Sequence, residues 1–159
     1  MRSTRTMRVR ERIASDVARV SVTDFRLRYP DRLQFTGRNG AAGVIVGRRR
    51  WNRSNSEAPW AGPAVDSVRF KTADSFNWTA SARNAWLVKR DRGSGSVVVA
   101  FYDRREPVWY RLKINPRSGR VTEESMVSPG HFMFTRYFDF NSAIAVQPPA
   151  RAAVIPNDD

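Results

Sequence analysis

The chain has 159 residues, with 28 Lys plus Arg against 15 Asp plus Glu, one His and no Cys, so its formal net charge is +13. Hydrophobic residues make up 41% of it and aromatic residues 11%, which is enough apolar surface to bury a core, so we expect a folded domain. The absence of Cys excludes disulfides, thiolate metal sites and cysteine nucleophiles. The single His131 excludes any site that needs two imidazoles from one chain.

The positive charge is unevenly distributed. Residues 1–53 contain 14 Arg against four acidic residues, a net charge of +10, whereas residues 54–159 contain 14 basic against 11 acidic residues, a net charge of +3. Such a field attracts anions of any kind, including nucleic acid, anionic lipid head groups and acidic glycans.

Period-two alternation dominates the N-terminal third. In residues 5–13, Met7, Val9 and Ile13 alternate with arginines, and Glu11 interrupts the apolar row. This pattern predicts a strand with one apolar and one arginine face. Residues 20–29 repeat it, and residues 33–35, 42–46 and 49–53 complete a predicted antiparallel meander.

The middle of the chain is less regular. Residues 54–78 are rich in Pro, Gly and Ser and predict a loop with one short helix. Further strands are expected over the ranges 78–82, 85–89, 97–102, 108–114, 119–127 and 131–141. The fold class is therefore mainly β: a single, strongly curved antiparallel sheet, a half-open barrel of about ten to eleven strands, with a short helix or loop plugging its concave side. Residues 1–149 are expected to form one domain and residues 150–159 a flexible C-terminal tail.

The C-terminal part carries a more specific pattern. A strand from Trp109 leads into the turn Asn115-Pro-Arg-Ser-Gly119, and the last strand reads Tyr137-Phe-Asp-Phe-Asn141 ahead of Pro148 and Pro149. Over roughly residues 97–149 this run resembles the C-terminal half of bacterial LolA/LppX/LprG-like lipoprotein-carrier domains. The strand meander from residue 3 onward resembles them more loosely.

The resemblance implies an incomplete, curved antiparallel barrel whose apolar concave side accommodates acyl chains, in an exported and often lipid-anchored protein. The lipobox leader and the helix that usually precedes the first strand of such domains do not occur in these residues. An extracytoplasmic location, periplasmic or at the cell surface of a bacterium, therefore assumes a leader or anchor outside them. Similar domains are attached to bacterial membrane proteins of copper resistance.

An acyl chain requires bulky apolar groups and no polar partners, because its binding comes from dispersion and the release of water. Ten residues are the candidates for lining the apolar cavity, although for any single one of them ordinary core packing is the commoner role. They are Phe25, Leu27, Tyr29, Leu33, Phe35, Trp51, Trp60, Phe70, Trp78 and Trp86.

Two basic features could bind anions. The strand arginines could hold a phosphate or an anionic head group, although a charged row opposite an apolar row is also what any half-buried strand shows. They are Arg8, Arg10, Arg12, Arg26 and Arg28. The cluster of residues 48–50 beside Trp51 resembles a nucleic-acid contact, with basic groups next to a stacking ring.

Signals for chemistry are weak. His131 shares a strand face with Met133, and Met126 lies nearby, which is a copper-type ligand set, but ordinary packing explains it better and no metal or cofactor is predicted. Glu123 and Glu124 are interpreted as salt-bridged surface carboxylates. We therefore expect no enzyme.

The sequence favours a non-catalytic extracytoplasmic domain that binds a lipid or another apolar ligand. An anionic membrane surface is a further candidate partner. One alternative is a nucleic-acid or polyanion binder that uses the arginine-rich N-terminal third. Another is a structural or sensor domain of a membrane protein, and one version of this alternative relates that protein to copper. The oligomeric state is left open.

Overall fold

In the computed structural model, residues 4–16, 18–72, 84–103, 107–150 and 154–155 are described. The regular elements among these residues are strands, and none of the residues is in an α-helix. The strands are β1 (Thr6–Ala14), β2 (Val20–Arg28), β3 (Arg32–Gly37), β4 (Ala42–Val46), β5 (Arg49–Arg53), β6 (Trp60–Val65), β7 (Trp86–Arg90), β8 (Val97–Asp103), β9 (Val108–Asn115), β10 (Arg120–Ser128), β11 (His131–Phe138) and β12 (Val154–Ile155). No described segment forms a helix of the length and hydropathy that a membrane crossing needs.

The strands belong to one sheet in the order β12-β6-β5-β4-β3-β2-β1-β11-β10-β9-β8-β7. β1 therefore lies between the meander β2 to β6 and the meander β7 to β11. β1 to β11 form an antiparallel sheet, and only the two-residue β12 runs parallel to its neighbour, β6. β12 and β7 end the strand order, so the sheet is open rather than closed. The predicted fold class, a mainly β chain with one open antiparallel sheet, is confirmed.

The chain divides into two compact units. The first unit contains Arg10–Val22 and the described part of Phe76–Phe138, and therefore the strands β7 to β11. The second unit contains Thr4–Val9 and the described parts of Thr23–Ser75 and Asp139–Asp159, and therefore the strands β3 to β6 and β12.

The predicted alternation holds in β1 and β2. Met7 and Val9 are buried and alternate with exposed arginines, and Leu27 is buried between the exposed Arg26 and Arg28. Burying one face of a strand selects this pattern, because successive side chains point to opposite faces.

The region predicted as a loop with a helix contains a strand. β6 occupies Trp60–Val65 and pairs with β5, with a register shift between Arg50 and Asn52. The sequence did not predict this strand because it contains Gly62 and Pro63, two residue types that are unusual inside strands. Gly62 has a φ of 134°, and Pro63 cannot donate a ladder hydrogen bond. The strand predicted over 78–82, and any helix within 73–83, lie outside the described residues.

The last long strand ends three residues earlier than predicted. Asp139 and Asn141 have φ values of 51° and 60°, a left-handed conformation that breaks the strand and that Asp and Asn adopt more readily than most residues. Asn141 then accepts a hydrogen bond from the Arg5 amide through Oδ1 at 2.7 Å, and its own amide donates to the Thr6 carbonyl at 2.8 Å. These bonds fasten the chain after β11 to the start of β1 within the second unit.

Two residues of the predicted tail, Val154 and Ile155, pair with Trp60 and Ala61 as β12. The tail therefore reaches β6 at this point. The boundary between a single domain and a flexible tail stays a prediction.

Candidate functional site

One face of β2, β3 and β4 in the second unit carries a continuous set of apolar side chains. Phe25 pairs with Phe35, Leu27 with Leu33, and Leu33 in turn with Ile45. Leu27 is buried and the other four side chains are partly exposed. The rings of Phe25 and Phe35 lie 6.3 Å apart between centroids. We call these five residues the apolar patch.

Gly43 on β4 makes room for the ring of Phe35, its cross-strand partner. A Cβ atom at Gly43 would overlap that ring and would lie 2.9 Å from Oδ1 of Asn52. The Phe35 ring therefore lies over β4 in space that any other residue at position 43 would occupy. A glycine within a strand often marks such a close approach.

The opposite face of β4, together with the neighbouring β5, forms a buried core. Val44 and Trp51 are cross-strand partners, and they pack with Ile144 and Val146 from the C-terminal segment. Trp51 is only 6% exposed. Arg32 donates through Nη1 to the Val146 carbonyl at 3.0 Å, which holds that segment in place. The C-terminal segment thus covers this part of the face, whereas Arg26 and Arg28 on the same face of β2 stay exposed.

The structure does not bring all ten predicted cavity residues together. Trp51 lies on the face opposite to the apolar patch, because its partner Val44 is adjacent along β4 to Gly43, the partner of Phe35. Trp60 packs against the same core as Trp51, and the Arg53 guanidinium lies 5.0 Å from its ring centroid. The two tryptophans therefore cannot line the same surface as Phe25 and Phe35.

Three further predicted cavity residues are also separate from the patch strands. Tyr29 lies in the turn after β2, where burial raises its pKa. Phe70 is partly buried and donates its amide to the Gly47 carbonyl at 3.0 Å. Trp86 lies in the first unit and is 46% exposed. Trp78 lies outside the described residues.

The five arginines predicted to bind anions are all exposed. Arg8 lies 3.5 Å from Asp139 in an ion pair, and both side chains are about half-exposed. Arg26 and Arg28 project from β2 on the face opposite to Leu27, whereas Arg10 and Arg12 belong to the first unit. Exposure is compatible with a solvated face and with an anion site, so anion binding by these residues stays a prediction.

The predicted nucleic-acid contact beside Trp51 does not fit the structure. The Trp51 ring is buried and cannot stack on a base. Arg50 forms an ion pair with Asp66 at 2.9 Å, and Arg48 donates through Nε to the Asp66 carbonyl at 2.8 Å. These two arginines are therefore engaged within the protein.

The first unit contains a buried polar cluster that sequence reasoning missed. Tyr137 donates its hydroxyl to Oε2 of Glu124 at 2.5 Å, and Glu124 is only 2% exposed. Thr135 is the cross-strand partner of Glu124, and its buried Oγ1 has no hydrogen-bond partner within the described part of the chain. The prediction of two surface carboxylates is correct for Glu123, which pairs with Lys113 at 3.7 Å, and wrong for Glu124.

The order of residues in β10 already indicates that Glu123 and Glu124 differ in burial. Glu123 and Glu124 are adjacent in β10, so they must point to opposite faces of the sheet. A register shift between Val121 and Glu123 places the buried Val121, and not Thr122, on the face of Glu124. That face is therefore part of the core. A buried carboxylate requires hydrogen-bonding partners, and a tyrosine hydroxyl supplies one here.

Glu11 interrupts the apolar row of β1, and burial raises its pKa. The ionised carboxylate is therefore less favourable in the folded state than in the unfolded state. This cost is present above the raised pKa and absent below the ordinary value of 4.5. We expect Glu11→Gln to increase the free energy of unfolding slightly at pH 7 and to have no such effect below about pH 4.

Urea unfolding of the wild type and of Glu11→Gln at both pH values measures this difference. Glu57→Gln is the control, because Glu57 is exposed. Equal stabilisation by Glu11→Gln at both pH values would show that packing, rather than charge burial, causes the effect.

The copper-type ligand set is only partly assembled. Met126 and Met133 are direct cross-strand partners, and His131 is exposed two residues before Met133 at the start of β11. Among the residues that the structure describes, no group of three or more His, Cys, Asp or Glu could hold a metal ion. A copper site here stays a prediction without further support.

Comparisons with known proteins identify the fold. No protein-family model matches the sequence, and no curated protein is similar to it. The structure is similar to the lipoprotein LppX of Mycobacterium tuberculosis, with a TM-score of 0.58, 10% identity and coverage of 92% of this chain and 91% of that one. It is also similar to LprF from Mycobacterium bovis, with a TM-score of 0.58, 9% identity and coverage of 93% and 90%.

A further similar structure is an uncharacterised conserved protein from Thermus thermophilus, with a TM-score of 0.55, 10% identity and coverage of 97% and 91%. These similarities extend over nearly the whole of each chain. The protein therefore has a LolA/LppX/LprG-like fold, as the resemblance in its C-terminal part implies. At this level of identity the comparisons concern the fold alone.

Proposed function

We propose that this protein is a non-catalytic, extracytoplasmic carrier that binds an apolar ligand with an acyl chain against the apolar patch. One observation carries the proposal: the patch is an apolar sheet face that stays partly exposed, while the C-terminal segment covers the opposite face at β4 and β5. An apolar surface that the protein's own chain leaves accessible favours an apolar partner.

The patch suits an acyl chain for a simple energetic reason. None of its five side chains carries a polar group, so it offers an apolar ligand dispersion contacts and the release of water. Each buried methylene contributes about 0.8 kcal/mol, so several of them together give measurable affinity without any hydrogen bond. A surface without titratable or nucleophilic groups also has nothing with which to react, which supports binding without catalysis.

The comparisons support the same proposal at the level of the fold. LppX, which shares the fold, is a lipoprotein, and this favours a location outside the cytoplasm for the present chain. The low identity means that the ligand has to be identified by experiment.

The first test is native mass spectrometry of gently purified protein, with solvent extraction of any bound lipid. A displacement titration with a fluorescent fatty acid then measures affinity. We expect a saturable signal that an unlabelled fatty acid reverses. The absence of both a co-purified lipid and a saturable signal would contradict the proposal.

Phe35→Ala is expected to weaken fatty-acid binding about tenfold, because it removes a partly exposed ring from the centre of the apolar patch. Phe25→Ala should act in the same direction, since its ring neighbours that of Phe35. The displacement titration measures both.

The control is Phe138→Ala, which makes the same chemical change at a 37% exposed position in the first unit, outside the apolar patch. Circular dichroism verifies that each variant is folded. Equal loss of binding in all three variants would show that the apolar patch is not the site.

Polyanion binding is the second candidate, favoured by the exposure of Arg8, Arg26 and Arg28. It predicts an affinity for short DNA or RNA that falls steeply as salt increases. Fatty-acid binding to the apolar patch should be nearly independent of salt, so the two functions separate in one titration series.

A further inference from the structure

An exposed aromatic row crosses the first unit. Tyr102, Trp109, Val127 and Phe132 are direct cross-strand partners on β8, β9, β10 and β11, so their side chains share one face. Trp109 is 50% exposed and Phe132 is 40% exposed. Trp86 on β7 adds a fifth group, with its ring edge-on to Trp109 at a centroid distance of 5.7 Å. We call these five residues the aromatic row.

The row lies close to one end of its strands. Val127 and Phe132 form the second-last pair before the turn at Pro129 and Gly130 that joins β10 to β11. With adjacent strands about 4.8 Å apart, the four paired residues alone span about 14 Å. The exposed apolar groups therefore form a continuous band next to a hairpin tip.

A basic cleft follows the aromatic row on the same face. Arg111 lies two residues after Trp109 on β9, and Lys113 lies two residues further. Together with Lys89, they line a cavity of about 240 Å³, whose other lining residues are Asp91, Val98, Glu123, Ser125 and Phe134.

The two acidic groups of this cleft are engaged within the protein. Glu123 pairs with Lys113 at 3.7 Å. Asp91 accepts hydrogen bonds from the Gly93 amide at 3.0 Å and from the Ser94 hydroxyl at 2.9 Å. Arg136 adds a further positive group, 5.5 Å from the ring centroid of Phe134. With three basic and two acidic side chains the cleft has a net charge of +1, which Arg136 raises to +2.

We propose that this face of the first unit docks on the surface of an anionic phospholipid bilayer, with the aromatic row at the boundary of the hydrocarbon and the basic cleft among the phosphates. This docking is separate from ligand binding to the apolar patch and does not depend on it.

The spacing of the two features fits the layers of a membrane. Side chains two residues apart on a strand are separated by about 7 Å, which places Arg111 that far from Trp109 along β9. The head-group layer of one leaflet is about 5–8 Å thick, the difference between the hydrocarbon core and the whole bilayer divided between two sides. Trp and Tyr favour the inner boundary of this layer, and arginine favours its phosphates.

Charge complementarity selects the bilayer as the partner. The protein has a net charge of +13, and an anionic leaflet attracts each nearby basic group. Trp and Tyr rings combine an apolar body with a polar N–H or O–H group, which suits a surface that is apolar on one side and wet on the other. A basic cleft beside such rings matches a phosphate layer above hydrocarbon.

Sedimentation with vesicles tests the proposal. We expect the full chain to bind vesicles of phosphatidylcholine mixed with phosphatidylglycerol and to bind vesicles of phosphatidylcholine alone much more weakly. The affinity for the mixed vesicles should fall as salt increases, because salt screens exposed charges. Tryptophan emission should move to shorter wavelength on binding as Trp86 and Trp109 leave water.

Two aromatic variants test the row. Trp109→Ala and Phe132→Ala should each lower binding to the mixed vesicles about tenfold, because each removes an apolar group from the membrane boundary. Phe138→Ala is the matched control: Phe138 lies on the same strand and face as Phe132 and is similarly exposed, but it is six residues, or about 20 Å, away. It should leave binding within about twofold of the wild type.

A charge reversal tests the cleft. Arg111→Glu should weaken binding to the mixed vesicles roughly 30-fold, since it removes one positive charge and adds a negative one close to the phosphates. Arg117→Glu changes the net charge equally but lies in the turn between β9 and β10, so its effect should be much smaller.

Several results would overturn the proposal. They are equal binding to both kinds of vesicle, no binding to either, or equal losses in the test and control variants. A concentration-dependent dimer that Trp109→Ala dissociates, without vesicle binding, would assign the aromatic row to a second copy of the chain instead. The fatty-acid displacement titration, repeated with the Trp109→Ala protein, separates membrane docking from ligand binding. A variant that no longer docks should still bind the fatty acid at the apolar patch.

Discussion

Trp51→Ala is expected to lower the free energy of unfolding by about 3–5 kcal/mol, the usual cost of removing a large buried aromatic side chain. Trp51 lies at the centre of the core that Val44, Ile144 and Val146 complete, so its removal leaves a cavity and loosens the C-terminal segment. Urea denaturation followed by circular dichroism measures the change. Trp109→Ala, at a half-exposed tryptophan, should cost only about 1 kcal/mol.

The same experiment decides between two roles for Trp51. If Trp51 is a core residue, the Trp51→Ala substitution should leave the fatty-acid affinity of the folded protein within about twofold of the wild type. Trp51→Phe retains part of the volume and keeps the test possible if the alanine variant does not fold. A small loss of stability together with a tenfold loss of affinity would contradict the core role and return Trp51 to the ligand site.

Tyr137→Phe is expected to lower the free energy of unfolding at pH 7 by about 1–3 kcal/mol, the range for leaving a buried hydrogen-bonding group without its partner. The phenol is the group that donates to Glu124 at 2.5 Å, and Glu124 is buried, so water cannot readily replace the lost donor. Chemical denaturation measures the loss.

A double-mutant cycle with Glu124→Leu, whose side chain cannot accept this hydrogen bond, isolates its contribution. If the pair interacts directly, the double variant should be more stable than the sum of the two single changes predicts, by about 1 kcal/mol or more. Tyr110→Phe is the control: Tyr110 is partly exposed and lies on the same sheet face as Glu124, so the same chemical change should cost less there. Strict additivity would contradict direct coupling between Tyr137 and Glu124.

Much of the fold could be predicted because its evidence is local. Alternation in β1 and β2 appears directly in the order of Met7, Val9 and Leu27 among arginines, and the turns carry Gly, Pro and Asn at the expected places. The closing pattern from Trp109 to Asn141 carried the likeness to lipoprotein-carrier domains, which the structural comparisons confirm at the level of the fold. β6 was missed for the same reason, since Gly62 and Pro63 disturb the local pattern.

The candidate site was only half predictable. Phe25, Leu27, Leu33 and Phe35 were placed correctly on one face because they lie two residues apart within two neighbouring strands. Trp51 was placed on the wrong face, since its position depends on the register of β5 against β4, which no feature within either strand specifies. The aromatic row shows the same limit, because its members come from five strands.

The residues of one strand are consecutive in the sequence, so their alternation can be seen without the structure. The amino-acid order alone therefore determined that this protein is an open antiparallel sheet with apolar and basic faces. Which apolar residues become core and which stay exposed was decided only by the tertiary structure. The C-terminal segment buries Val44 and Trp51 and leaves the apolar patch partly exposed. The physical reason is that burial depends on what packs against a face, and register and covering segments join residues far apart in the sequence.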